Sequence, residues 1–465
     1  MPLQRLRSPL VRLEISALWK LAWPILIGQL ATVGMNVVDV AMAGHASAED
    51  LAGVSLGVSI YHILVVTTMG VLMSVNPTVS HLVGAGELAR IPHTVRQSLW
   101  KALGVGLAAM AIANTATLVF DHMAIEPAVR LLAQRFVHVV SFGLPAFCFY
   151  RVLYGYSTSI NQTKPMMVMA LLALALCVVL NALLVFGRFG LPRLGGLGCA
   201  VATVICLWFE LAAAVWWMGR SPAYRATWPL DRFEWPHWPE IRALLKLGVP
   251  IGITFFAETS AFSLIALLVA GFGTTVVAAH QIALNFVSFL FMLPLSIGVA
   301  LLSRVAQALG AGDAVTARRR AWVGVGMALV VAFATAVGTW LFNRQIASAY
   351  TNDAAVAALA AQLLLFAAVF QMSDGLQVAL ANAVRAYKVT RLPMLIHLGA
   401  FWGICLPLGC VLGLAPAWLP WRPVPPMAAQ GFWTALMVGL TVAALGLAWL
   451  LWRLSLSKIG RTLNA

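Results

Sequence analysis

The sequence predicts an all-α polytopic membrane protein, with twelve transmembrane helices in two pseudo-symmetric six-helix lobes. Three observations carry that prediction: an apolar excess too large for a soluble surface, twelve apolar stretches of bilayer-crossing length, and an internal repeat. Of 465 residues, 62% are hydrophobic and only 10% charged, against about 45–50% and about 25% in a typical soluble domain. So few charges cannot build a soluble surface, and no single core could hide so much apolar side chain. A soluble enzyme, a nucleic-acid-binding domain and a disordered chain are excluded on that ground. The net charge of +15 therefore points to cytoplasmic loops, where membrane proteins collect Lys and Arg, and not to a nucleic-acid partner.

A helix needs about 20 predominantly apolar residues to cross the hydrocarbon layer. Twelve stretches qualify: 18–43, 51–76, 96–120, 132–158, 165–187, 196–219, 243–270, 276–303, 320–342, 355–384, 392–415 and 428–453. The alternation of a membrane β-barrel is absent, so the spans read as helices. The basic arm from Arg5 to Arg12 runs into the first stretch, which contains Pro24 and is expected to be a membrane helix kept in the mature chain. With the N-terminus inside and each connector assigned in turn, 24 of the 30 Lys and Arg residues fall on the inner side. That asymmetry predicts twelve crossings with both termini cytoplasmic.

The halves register at a shift of 226. Lys20-Leu21 falls on Lys246-Leu247, Pro24 on Pro250, Ala52 on Ala278, and Gly84-Ala85-Gly86-Glu87 on Gly310-Ala311-Gly312-Asp313; further on, Lys164-Pro165-Met166 falls near Leu392-Pro393-Met394. Because six is even, both halves start on the same side and are expected to be related by an axis along the membrane normal. The expected organisation is a basic arm 1–17, an N-lobe 18–219, a cytoplasmic connector 220–242, a C-lobe 243–453 and a cytoplasmic tail 454–465. Duplicated lobes around a cavity are the architecture of a carrier that alternates access by rocking.

Four acids lie within spans: Asp39, Glu210, Glu258 and Asp374. An acid near a helix centre costs about 2.5–3.5 kcal/mol on insertion scales. Such a residue either faces a polar cavity or ion path, or pins helices together as a hydrogen-bonded interior group. Glu210 lies closer to the basic connector and fits the second role. The other three have polar company. Asp39 follows Asn36 by three residues and Gln29 by ten. Glu258 sits among Thr254, Thr259 and Ser260. Asp374 sits in Gln371-Met372-Ser373-Asp374, with Gln377 one turn on. A buried carboxylate takes a proton or binds a cation, so these three are candidate coupling sites. Carboxylates on a cavity also suit cationic organic molecules, with Met and aromatic side chains as a re-packable apolar wall.

Other chemistry is weakly signalled. The six cysteines fall in apolar stretches without a C-x-x-C, so neither disulfides nor thiolate zinc sites are expected. No G-x-x-x-x-G-K-[ST] or H-E-x-x-H occurs, and no cofactor is expected. Of the span histidines, His280 has the most polar neighbour, Gln281. Pro24, Pro145, Pro250, Pro294 and Pro407 read as kinks. Gly195-Gly196-Leu197-Gly198 reads as a tight outer turn and close-packing signal.

Trp23-Pro24-Ile25-Leu26, Val38-Asp39-Val40-Ala41-Met42-Ala43-Gly44 and Gly84-Ala85-Gly86 resemble the opening helices of the multidrug and toxic compound extrusion (MATE) family. So do Ala278-Ala279-His280-Gln281-Ile282, Gly195 to Thr203, and Ser373-Asp374-Gly375-Leu376-Gln377 with Arg385-Ala386-Tyr387-Lys388. The resemblance covers roughly 15–455 and is nearest the NorM-like branch. It implies a V-shaped, monomeric, twelve-helix antiporter of the bacterial inner membrane that exports cationic lipophilic compounds, with a role in drug resistance. It places Glu258 and Asp374 in a C-lobe cation site, Na⁺ by branch, and Asp39 at the N-lobe cavity. Asn161, Asn181 and Thr203 match polar N-lobe positions; Asn36, Gln281 and Gln377 complete the polar candidates. Val185 stands where another branch has an N-lobe acid, and Phe291 and Phe370 where some relatives have tyrosine.

The leading expectation is thus a secondary active multidrug exporter, antiporting such compounds against Na⁺ or H⁺. A lipid-linked oligosaccharide flippase of the same superfamily is the transport alternative, and would favour a cationic cavity; the span interiors show almost no Lys or Arg beyond Arg151 and Arg304. An integral-membrane enzyme is the alternative of another class, but no cluster of His, Asp or Ser gathers at one membrane face. A channel would not need paired lobes.

Overall fold

The computed structural model describes residues 9–122, 125–187, 192–415 and 426–463, with the backbone alone for 461–463. Arg5, Arg7, Arg188, Arg422, the Arg461 side chain and most of the Pro416–Pro426 connector lie outside the described residues. Among the described residues every regular element is helical. The chain runs α1 (Pro9–Ala46), α2 (Ala48–Leu72), α3 (Val75–Gly84), α4 (Ile91–Ala116), α5 (Pro127–Ser141), α6 (Leu144–Ser159), α7 (Lys164–Leu184) and α8 (Gly196–Arg220). It continues through α9 (Trp238–Val269), α10 (Thr274–Gly310), α11 (Ala314–Tyr350), α12 (Ala354–Ala386), α13 (Arg391–Leu398), α14 (Leu406–Leu414) and α15 (Ala428–Leu463). Eleven runs are long and apolar enough to cross a membrane, and the pair α5 and α6, bent by 44°, makes the twelfth. All twelve predicted spans are matched, and most helices extend beyond the apolar stretch into charged flanks.

Among the described residues four spans are interrupted, one of them the ninth, which kinks inside α11 at Phe342 with φ −108° and ψ 16°. The second breaks between α2 and α3 at Met73 and Ser74. The fourth breaks at Phe142 and Gly143, where a Cβ on Gly143 would lie 2.7 Å from Leu207 Cδ1. The eleventh is joined through a π-helical stretch, Gly399–Cys405. Pro24, Pro250 and Pro294 lie inside helices, as expected. Pro145 and Pro407 sit at breaks, as expected of kinks: Pro145 in the first turn of α6 just past the 44° bend, and Pro407 just after the π-helical stretch.

The chain folds as two compact units, one of Pro24–Gly252 and one of the chain up to Trp23 with the chain from Ile253. The divisions fall inside α1 and α9, beside Pro24 and Pro250. In the first unit, apolar cores gather around Phe136, Leu144, Tyr156 and Tyr224. In the second, Phe370 packs edge-on to Phe262 and Trp433, within a core of α9, α10, α12 and α15. Large apolar side chains such as Val330, Trp340 and Leu445 are exposed, as a lipid-facing surface requires.

Local chemistry fixes the turns. At the ends of α3 and α10 the loop glycines Gly86 and Gly312 have φ of 73° and 75°, and the N–H of the next residue returns to Leu82 and Ala308 respectively. The two halves thus end equivalent helices in the same left-handed turn. Gly195, φ 55°, precedes α8. There Asp50 Oδ1 accepts from Gly196 N at 2.7 Å, and a Cβ at Gly198 would lie 2.8 Å from the Leu184 carbonyl carbon. The glycine motif is therefore a cap and a close approach.

The connector after α8 is docked on its own unit. Arg96, on α4, donates to Asp231 and Glu234 at 2.6 Å each and to Pro229 O at 3.0 Å. The Arg96 guanidinium, with His93 second, holds the Glu234 carboxyl down to about 2. Trp100 Nε1 donates to Glu234 O at 2.8 Å. Tyr156 Oη lies 2.8 Å from Thr227 O.

Candidate functional site

Each unit holds a buried carboxylate with its own polar partners. In the Pro24–Gly252 unit this is Asp39, only 3% exposed on α1. Asn181 Nδ2, on α7, donates to Oδ1 at 2.8 Å, and Thr203 Oγ1, on α8, donates to Oδ2 at 2.7 Å. Cys177 Sγ approaches Oδ1 at 3.7 Å, and Asn181 also donates to Cys177 O at 3.0 Å. Three helices thus converge on one side chain, and both of its oxygens are engaged. Every donor here is neutral, so a bound proton or a small cation remains the natural counter-charge.

Of the other polar candidates of this half, Asn36 is exposed on α1, although it stands only three residues before Asp39. Asn161 occupies a left-handed turn after α6, φ 62°, with its N–H bonded to Thr158 O. Val185 is fully buried in apolar surroundings. Glu210, at 6% exposure, lies beside Tyr150 and Arg151.

In the other unit, Asp374 on α12 is buried, and Glu258 on α9 is half-buried. The two are electrostatically coupled, and Arg385 is the cation facing Glu258. Gln377 Nε2 donates to Asp374 Oδ1 at 3.2 Å. Gln377 Oε1 lies 2.7 Å from His397 Nε2, whose other ring nitrogen lies 2.7 Å from Pro393 O. If Pro393 O takes the Nδ1 proton, Nε2 can donate to Gln377 only when the ring is doubly protonated. The alternative is an amide flip that reverses both of the Gln377 contacts. Gln281 is exposed on α10. Next to it, His280 accepts from Trp433 Nε1 at 3.2 Å, a packing contact. Phe370 is buried in the aromatic core described above.

The structure therefore brings together Asp39, Asn181 and Thr203 in one unit, and Glu258, Asp374 and Gln377 in the other. It also corrects one expectation. The span interiors hold two more cations, Lys101 and Arg385, both buried. Lys101 Nζ donates to Ser74 Oγ at 2.7 Å and to Val71 O at 3.4 Å, at the break between α2 and α3. Arg385 lies 5.3 Å above the Phe255 ring. Arg385 falls just past the apolar stretch 355–384 and Lys101 near the inner end of the stretch 96–120, so by sequence both count with the inner-side cations. Helical spacing could have found Arg385: eleven residues after Asp374 is three turns along the same face.

The MatE family model matches the chain twice, over residues 24–183 and 250–411. The matches begin at Pro24 and Pro250, the pair that the internal repeat sets in register. The multidrug resistance protein PmpM of Pseudomonas aeruginosa is 41% identical over 94% of this chain and 90% of its own length. The multidrug resistance protein NorM of Vibrio cholerae is 39% identical over 93% and 94%. Among solved structures, the eukaryotic MATE transporter AtDTX14 superposes with a TM-score of 0.86 at 17% identity, covering 97% of this chain and 99% of that one. An outward-facing multidrug resistance MATE transporter of the MOP superfamily superposes at 0.84 and 16% identity, covering 97% and 96%.

Proposed function

The chain belongs to the MatE family, and from that premise we propose that it exports lipophilic organic cations from the bacterial cytoplasm across the inner membrane in exchange for Na⁺ or H⁺. It is a membrane transporter and not an enzyme. The multidrug resistance relatives in Pseudomonas and Vibrio support small, chemically varied substrates for this chain. The single observation that carries the coupled mechanism is the pair of buried carboxylate centres, one in each unit.

In the proposed cycle, a cation entering from outside binds Glu258 and Asp374 and weakens the hold on the organic cation, which leaves. The halves then expose the site to the cytoplasm. The exchange works only if cation and drug stabilise the two states unequally. Na⁺ is the coupling ion we favour, carried as a substrate with the carboxylate oxygens as its ligands; no cofactor takes part. Both termini are placed in the cytoplasm, and the transporter acts as a monomer.

Ethidium efflux from pump-deficient cells tests this, energised in turn by a Na⁺ pulse at clamped pH and by a pH jump. Efflux that follows either gradient and is lost in Glu258→Gln and Asp374→Asn, at normal expression, is the expected result. Wild-type efflux in both variants overturns the assignment.

A further inference from the structure

Outside the two carboxylate centres, the described residues hold one cluster with the composition of a metal site. His93 lies in the first turn of α4. His237 immediately precedes α9, and its carbonyl accepts from Glu240 N at 3.1 Å and Ile241 N at 3.2 Å. It therefore caps the helix, and the His237 and Glu240 side chains, three residues apart, share a face. Docking of the connector brings this face to α4: His237 N donates to Gln97 Oε1 at 2.7 Å, and Gln97 Nε2 donates to Trp235 O at 3.1 Å.

The ligand atoms of His93, His237 and Glu240 all lie within 4.8 Å of one another. His93 Nε2 is 3.0 Å from Glu240 Oε2, an oxygen that is buried and makes no hydrogen bond of acceptable geometry. The two imidazole rings are tilted at 52° with centroids 6.3 Å apart, so they do not stack, and their edges can converge. A tetrahedral ion with ligands at about 2.0–2.1 Å holds those atoms roughly 3.3 Å apart. The ligand atoms must therefore close by up to about 1.5 Å to reach that geometry.

The surroundings are also those of a metal centre. His93 Nδ1 lies 2.5 Å from Glu234 Oε2, the carboxylate–histidine contact that fixes a ligating ring with its other nitrogen free for the metal. Glu234 is itself held by Arg96 and Arg232, so it orients His93 and is not left over as a ligand. All these residues belong to the Pro24–Gly252 unit, and none takes part in the proposed coupling.

We propose that His93, His237 and Glu240 form a site for a divalent transition metal of the Zn²⁺ class, which staples the end of the connector and the start of α9 to the first turn of α4. Two imidazoles and one carboxylate suit a borderline ion rather than Mg²⁺ or Ca²⁺, and three protein ligands leave the fourth position to water. The sequence hides the site because 144 residues separate His93 from His237; only the His237-Trp238-Pro239-Glu240 half is local.

Co²⁺ titration of the purified, tag-free, full-length protein in detergent tests the proposal. The expected result is one Co²⁺ per chain with intense tetrahedral visible bands, displaced by Zn²⁺, and a rise in melting temperature when Zn²⁺ is added to chelator-treated protein. His237→Ala and Glu240→Gln, each eluting as a folded monodisperse species, lose the bands or bind at least tenfold more weakly. Glu234→Gln weakens binding by about 10–100-fold, and His45→Ala, at the far end of α1, leaves it unchanged. Only hexa-aqua Co²⁺ bands, or equal binding by wild type and His237→Ala, overturns the proposal. If both ligand variants fail to fold, retention of one equivalent of Zn²⁺ by wild type after dialysis, read by metal analysis, decides: its absence overturns the site.

Discussion

Asn181 donates a 2.8 Å hydrogen bond to Asp39 Oδ1, tying α7 to α1 at a carboxylate that is almost wholly buried. Thr203 holds the other oxygen from α8. A buried carboxylate that loses a donor keeps its desolvation cost, which amounts to about 1–3 kcal/mol for an unmade buried hydrogen bond. Asn181→Ala and Thr203→Val are therefore expected to lower the melting temperature of the purified protein. In an Asp39→Asn background the same changes should cost measurably less, because the charge they serve is gone. Additive losses across that double-mutant cycle would show that the three side chains do not act as one group.

In the other unit, Gln377 links His397 to Asp374. Gln377→Met keeps the volume and removes the link. At about 1–3 kcal/mol for the lost contact, cation-driven ethidium efflux should fall roughly 5- to 150-fold. Asp374→Asn should abolish it. His397→Gln, whose amide can still hydrogen-bond Gln377, should retain more activity than His397→Ala; the reverse order would argue against the link.

What the sequence revealed and what it hid follow from range. Insertion cost singles out Asp39, Glu258 and Asp374 wherever their partners come from, so they were legible one residue at a time. Asn181 and Thr203 needed the family resemblance, since nothing local marks a neutral amide or hydroxyl as a partner of α1. Asn36 illustrates the opposite error. Three residues is 60° short of a full turn, enough on α1 to leave Asp39 buried and Asn36 exposed. The twelve spans were legible from apolar length. The break beside Gly143 is signalled by Pro145, but the one at Met73–Ser74 is not, because it is met by Lys101, which lies far along the chain.

The start of α11 offers a pH test outside the membrane spans. Asp313 Oδ1 accepts from Thr316 N at 2.8 Å, and hydrogen bonding by Thr316 holds its carboxyl below the ordinary value of 3.8. A carboxyl depressed in the folded state contributes stability above its unfolded value and loses it as pH falls through the folded one. Asp313→Ala should cost about 0.5–2 kcal/mol at neutral pH, as lost helix caps do. The gap between wild type and variant should narrow progressively below about pH 4. Melting curves from pH 7 to pH 3 measure it, and a gap that widens on acidification would contradict the cap.

Gly248 offers the sharpest test of how α9 seats on α2 within the Pro24–Gly252 unit. A Cβ there would lie 2.1 Å from Val71 O and 3.0 Å from the Val71 carbonyl carbon, and one at Gly252 would lie 2.5 Å from Val71 Cγ2. The obstacle at Gly248 is backbone, so no side-chain rotation relieves it, and α9 would have to move off α2. Val71 O is also the carbonyl that receives Lys101 Nζ where α2 breaks, so the shift would disturb a buried cation as well. Overpacking a well-filled interior costs typically about 1–3 kcal/mol, and here the displaced lysine adds to it. Gly248→Ala should therefore lower both the yield of monodisperse protein and its melting temperature. Gly104→Ala, on α4 with nothing within 4 Å of the new methyl group, should be neutral or mildly stabilising, since alanine favours a helix by about 1 kcal/mol over glycine. Equal behaviour of the two variants would mean that α9 does not rest on Val71 in the folded protein.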